Sequence, residues 1–127
     1  MNIINCFEEN PFFSSLFPYG LTDEVLIGQL GLDVGGLFRL NIHTMQQPNK
    51  EVAKWGVYGK DYDVVVIKFI GSNFSNIHTR NWKNITYAQL ICTVENETIK
   101  LRCCGDDWEF SACFENLSFQ GCSTYIA

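Results

Sequence analysis

At 127 residues, with 46% apolar and 18% charged side chains, the chain is sized and composed for a single domain, residues 1–127, with one real core. Its formal charge of -5 argues against unaided binding to nucleic acid, where affinity comes largely from Lys and Arg neutralising phosphates, and it suits a basic partner better. No apolar run has the length of a membrane span, and MNIINCFEEN lacks the basic and apolar regions of a secretory leader, so a cytosolic location is expected.

Residues 10–20, NPFFSSLFPYG, are aromatic-rich and bounded by prolines. Asn10 can cap a short helix with Pro11 in its first turn, and Pro18-Tyr19-Gly20 stops it. Phe12, Phe13, Leu16 and Phe17 then have helical spacing and are expected to form a lid on a sheet. Residues 25–33 and 37–45 read as a hairpin around Val34-Gly35-Gly36. The stretch GQLGLDVGG superficially resembles a nucleotide-binding loop, but no Lys-Ser/Thr pair or helix pattern follows it.

Residues 46–61, QQPNKEVAKWGVYGKD, have no clear period. A long irregular loop in a compact domain is usually functional or mobile, so this loop draws attention, Trp55 and Tyr58 in particular. Residues 62–71, YDVVVIKFIG, form a nearly continuous β-branched run and should be a central strand buried on much of both faces. A turn, an extended piece around Ile77, and Asn81-Trp82 follow.

Apolar and polar residues alternate through residues 85–119, as in strands with one buried and one wet face. Ala88, Leu90, Cys92 and Val94 share a face; so do Ile99, Leu101 and Cys103, then Trp108, Phe110, Ala112 and Phe114, with Leu117 and Phe119 continuing the pattern. Glu95-Asn96-Glu97 and Gly105-Asp106 supply the reversals. Strands joined this closely are antiparallel, so the region reads as a meander within one sheet. The whole chain is expected to be mainly β: an antiparallel meander forming a β-sandwich or half-open barrel of about seven to eight strands, with one short N-terminal helix.

The cysteines Cys6, Cys92, Cys103, Cys104, Cys113 and Cys122 are expected as reduced thiols packed like small hydrophobes, and the absence of any C-x-x-C pair speaks against zinc. No metal or cofactor is expected. The triplets beginning at Asn73, Asn84, Asn96 and Asn116 match the glycosylation pattern, which is without consequence in a cytosolic protein. His43 and His78 could each act as a general base, and a paired-histidine site with Lys68 or Lys100 is conceivable on a β scaffold. The plainer reading of each is a surface or satisfied histidine, because no nucleophile motif stands beside it. Asp61 with Asp63, Glu95 with Glu97, and Asp106, Asp107 and Glu109 form acidic groups whose plain reading is solvated turns; they would also serve as a rim for a basic partner. Trp108 alternates into the core, whereas Trp55 is the better interface anchor.

The order of features resembles the immunity-protein-50 family of bacterial polymorphic toxin systems. An amino-terminal Asn-Pro precedes aromatics, followed by a hairpin around LFRLNIH, a loop with WGVYG, the strand VVVIKFIG, Asn81-Trp82, the hairpin ENETIKLRCCGDDWEFSACF and a closing SFQGCSTYI. The likeness spans nearly the whole chain and departs at Gly121-Cys122. It implies a small cytoplasmic immunity protein, no enzyme, that neutralises a cognate toxin domain, often a nuclease, delivered by contact-dependent growth inhibition or a related route. It carries over no catalytic residues. On this reading Asp61, Asp63, Asp106, Asp107 and Glu109 meet Lys and Arg of the toxin, with Trp55 and Tyr58 as partly buried anchors. The alternatives are a small hydrolase using His43 or His78, and a ligand-binding β-sandwich stacking its ligand on Trp55 and Tyr58.

Overall fold

A computed structural model describes Ile3 and residues 6–127. One helix, α1 (Pro11–Leu16), precedes eight strands: β1 (Val25–Leu32), β2 (Phe38–Thr44), β3 (Val64–Ser72), β4 (Asn76–Arg80), β5 (Ile91–Glu95), β6 (Thr98–Cys104), β7 (Glu109–Phe114) and β8 (Asn116–Tyr125). They form two four-stranded antiparallel sheets, ordered β1-β2-β3-β8 and β4-β7-β6-β5, and no closed barrel results.

Alternation decides which side chains enter the core. In β2, Phe38, Leu40, Ile42 and Thr44 are buried while Arg39, Asn41 and His43 face outward; β6 and β7 bury Ile99, Leu101, Cys103, Phe110, Ala112 and Phe114 in the same way. The run Val64 to Ile67 is buried on both faces, as its β-branched composition requires. Gly71 allows a close approach in the core: a Cβ there would run into the ring of Phe38, itself packed on Phe114 with centroids 4.9 Å apart.

The two sheets share one bent ribbon. β3 pairs with β8 from Val64↔Tyr125 to Ser72↔Asn116, and β4 pairs with β7 from Asn76↔Cys113 to Arg80↔Glu109. Both chains cross between sheets at the same place, tied by Glu115 N–H to Ser72 O (3.2 Å) and Ser75 N–H to Cys113 O (2.9 Å). The expectation of one meander sheet over the carboxy-terminal region is therefore corrected: β5, β6 and β7 form it, but β8 leaves for the other sheet. Residues 85–90 add no ladder strand; Ala88 makes a single bridge to Val25. Val94 is also turned out, with 42% of its surface exposed.

The β5–β6 reversal is a two-residue turn with Asn96 at φ 51 and Glu97 at φ 65, both left-handed, the geometry that matches strand twist in tight hairpins. Asn10 Oδ1 accepts from Phe13 N–H at 3.0 Å and Pro11 opens α1, the expected start. Phe13, Leu16 and Phe17 are buried, and Phe13 meets Phe7, Phe69 and Phe119 edge-on or tilted. Phe12 stays 37% exposed and leans on Trp55. α1 is thus the lid its spacing implies, on three of the four residues.

The cysteine expectation is corrected at one pair. Cys6 and Cys92 form a disulfide that ties the amino-terminal segment to β5 across 86 residues of sequence. Cys103, Cys104, Cys113 and Cys122 are thiols, and burial pushes Cys103 and Cys122 up to about 12, so both stay protonated.

Candidate functional site

Residues 46–63 are a packed part of the fold, not an open loop. Gln46 Oε1 accepts from Thr22 N–H (2.7 Å), its amide reaches Gly20 O (3.1 Å), and Asn49 N–H donates to Leu16 O (2.7 Å). Trp55 is consequently core, 9% exposed between Phe12 and Tyr62 with centroids 6.0 and 5.9 Å away. Its assignment as an interface anchor is corrected: the ring spends its surface inside the molecule. Tyr58 packs edge-on against Tyr62 and donates its hydroxyl to Met45 O, so it too is held internally along one side.

The acidic residues have mixed duties. Asp61 Oδ2 accepts from Val57 N–H at 2.7 Å, filling space that only Gly56, at φ 82, leaves open. Asp63 Oδ1 accepts from Ala127 N–H at 2.7 Å and fastens the last residue. The two lie in a turn and not on one strand face, contrary to their period-two spacing. Asp107 takes Asn84 Nδ2 at 2.9 Å on its carboxylate, while its carbonyl accepts from Asn81 (2.6 Å) and Arg80 (3.2 Å). Among the described residues, Asp106 and Glu24 have no side-chain hydrogen bond or ion pair. Glu109 faces outward on β7, in register with Arg80.

The fold gathers five of these acids at one end of the sandwich. Val25 pairs with Thr44, Thr44 with Val65, and Val64 with Tyr125, so the residues beyond them, Glu24, Met45, Asp63 and Ile126, share that end. Val57 and Asp61 join through the Tyr58↔Tyr62 bridge and the Tyr58 bond to Met45. The 84–87 segment brings in the β6–β7 turn: Asn84 holds Asp107, and Trp108 Nε1 donates to Thr86 Oγ1 at 3.2 Å. That end therefore carries the exposed Met45, Val57, Tyr125 and Ile126 together with Glu24, Asp61 and Asp63 and, through the 84–87 segment, Asp106 and Asp107 of the β6–β7 turn. Burial, then Tyr125 and the Asp63 charge, push the Tyr87 phenol up to about 12. Glu24, Met45, Tyr87, Tyr125 and Ile126 carry no pattern in the sequence that singles them out; only strand ends in register bring them together.

The histidines do not converge. His43 lies on the outer face of the first sheet, its Nδ1 2.8 Å from Tyr125 Oη, and desolvation lowers its pKa, which favours neutral imidazole. His78 is exposed on the outer face of the second sheet, opposite Ser111. The hydrophobic core separates the two, and Lys68 and Lys100 are divided between the same two faces. Among the described residues no group of His, Cys, Asp and Glu has a metal-binding arrangement. No helix among them is long and apolar enough to cross a membrane.

No family model matches the chain, and no curated protein and no solved structure is similar to it.

Proposed function

We propose that the chain is an immunity-type inhibitor that binds and neutralises a cognate toxin domain presenting a basic surface, such as a nuclease. One observation carries this reading: exposed Met45, Val57, Tyr125 and Ile126 share one end of the sandwich with five carboxylates, Glu24, Asp61, Asp63, Asp106 and Asp107. A desolvated apolar centre within a polar rim is how protein interfaces are built, and a rim of one sign directs association with a partner of the other. An acidic surface of this kind occupies or shadows a cleft that a nuclease uses for nucleic acid. On this reading the inhibitor acts by occupancy. The interface differs from the one read from the sequence by losing Trp55, Tyr58 and Glu109 and gaining Glu24, Met45, Val57, Tyr125 and Ile126.

The test is co-expression with the protein encoded immediately upstream, purification through a tag on this chain, and a growth-rescue assay. Co-elution of a basic domain together with rescue is the expected result; a partnerless protein that rescues nothing overturns the reading. Asp106→Lys with Glu24→Lys then removes rim charge without disturbing a hydrogen bond. Association at low salt should slow by about tenfold or more while dissociation changes little. Such an inhibitor works in the cytoplasm, where thiols are kept reduced; the Cys6–Cys92 disulfide runs against that compartment, and the redox state of the pair in the cell tests it directly.

A further inference from the structure

A second polar site lies away from that end, on the outer face of the first sheet. A hollow of about 310 Å³ opens there, and Gln29, Arg39, Asn41, Lys68, Ile70 and Gln120 line it. Register explains the convergence: Gln29 pairs with Asn41, Asn41 with Lys68, and Arg39 with Ile70, so the side chains form adjacent rows on one face. Gln120 is the extra residue where the β3–β8 register shifts between Lys68 and Phe69, and this bulge aims it into the same space. Arg39 and Lys68 are diagonal neighbours across Asn41, a spacing of roughly 7–8 Å between Cα positions, which leaves room for one small group between two flexible cations.

The electrostatics run against the rest of the molecule. The chain has 14 acidic and 9 basic side chains, yet no carboxylate lines this hollow. Asp33, outside the lining, has its Oδ2 3.5 Å from Arg39 Nε; both side chains are more than half exposed, so the pair holds Arg39 only weakly. Asn41 Nδ2 donates to Gln29 Oε1 at 2.8 Å, which fixes the Asn41 amide and leaves its carbonyl and the Gln29 NH₂ to the hollow. Two cations and three carboxamides, with an aliphatic wall from Ile70, match a small hydroxylated ligand that carries an oxyanion.

We propose that this hollow is a binding site for a small oxyanion-bearing ligand, its carboxylate or phosphate held between Arg39 and Lys68 and its hydroxyls met by Gln29, Asn41 and Gln120. The site is independent of the toxin-binding reading and shares no residue with the acid-rich end. NMR titration of the intact chain with inorganic phosphate, glucuronate and glucose tests it, followed on the side-chain amides of Gln29, Asn41 and Gln120. Phosphate or glucuronate should move these signals saturably while glucose does not, and which anion binds tighter separates a phosphoryl from a carboxyl ligand. Arg39→Gln and Lys68→Gln, both at exposed positions, should each weaken binding by about tenfold, the worth of one charge-assisted hydrogen bond. Asp33→Asn should strengthen it by releasing Arg39. Silence from both anions at millimolar concentration, glucose binding as well as glucuronate, or shifts that persist unchanged in the two cation variants would each overturn the assignment.

Discussion

Trp55→Ala separates a core tryptophan from an interface anchor. A tryptophan buries up to about 250 Å². With only 9% of Trp55 left exposed, nearly all of that area is withdrawn from solvent. At about 25 cal/mol per Å², reduced for a denatured chain that is already partly collapsed, the loss is about 4 kcal/mol. This agrees with the range of roughly 3–5 kcal/mol for large-to-alanine changes in cores. Phe12 and Tyr62 lose their edge contacts at the same time. A domain of this length is stable by roughly 6–19 kcal/mol, so the variant stays folded but weakened. Equilibrium urea unfolding is the assay, and the midpoint should fall by about 2 M with little change in slope. Trp55→Phe, which keeps an aromatic ring between Phe12 and Tyr62, should lose less than half as much. A Trp55→Ala midpoint indistinguishable from the parent, together with lost affinity for a toxin partner, would refute the reasoning and restore Trp55 as an anchor.

Reduction of Cys6–Cys92 should also lower stability. The bond closes a separation of 86 residues, for which chain entropy allows up to about 4.5 kcal/mol, and Cys6→Ser should be lower in stability and insensitive to reductant. Complete alkylation of all six cysteines in the folded, unreduced protein would show that the bond does not form. Gly71→Ala drives a methyl into the buried Phe38 ring and should cost about 2 kcal/mol or more in thermal or urea unfolding, whereas Gly121→Ala, with open space beside it, should cost almost nothing. His43 titrates below its ordinary value when folded, so the unfolded chain binds more protons in that window: its contribution to stability is full above pH 6.5 and falls as pH drops toward the folded pKa. The difference in unfolding free energy between parent and His43→Gln should therefore narrow or reverse on acidification, and a flat difference from pH 7 to pH 5 would contradict the burial of the ring.

Much of the fold is legible in the residues because strand patterning is local. Period-two alternation in β2, β6 and β7 states which side chains face the core, the β-branched run of β3 states burial on both faces, and Asn10-Pro11 states where α1 begins. Such a pattern specifies a face without specifying a partner strand. Leu117 and Phe119 resume the alternation of β7 with its phase shifted by one residue at Glu115-Asn116, and such a shift fits a turn within one sheet as well as the corner where β8 changes sheets. The 46–63 segment shows the same limit: irregular spacing and two aromatics look like an exposed binding loop until α1 is placed against Trp55. The acidic groups were visible, but their number, their structural duties and their meeting with Met45, Tyr125 and Ile126 depend on strand ends from 24 to 126 arriving in register. Residue chemistry and local periodicity belong to the sequence by itself, since each is set within a few residues. Sheet partners, the Cys6–Cys92 contact and the composition of each surface are decided by the tertiary structure, since they rest on contacts between residues far apart in the chain.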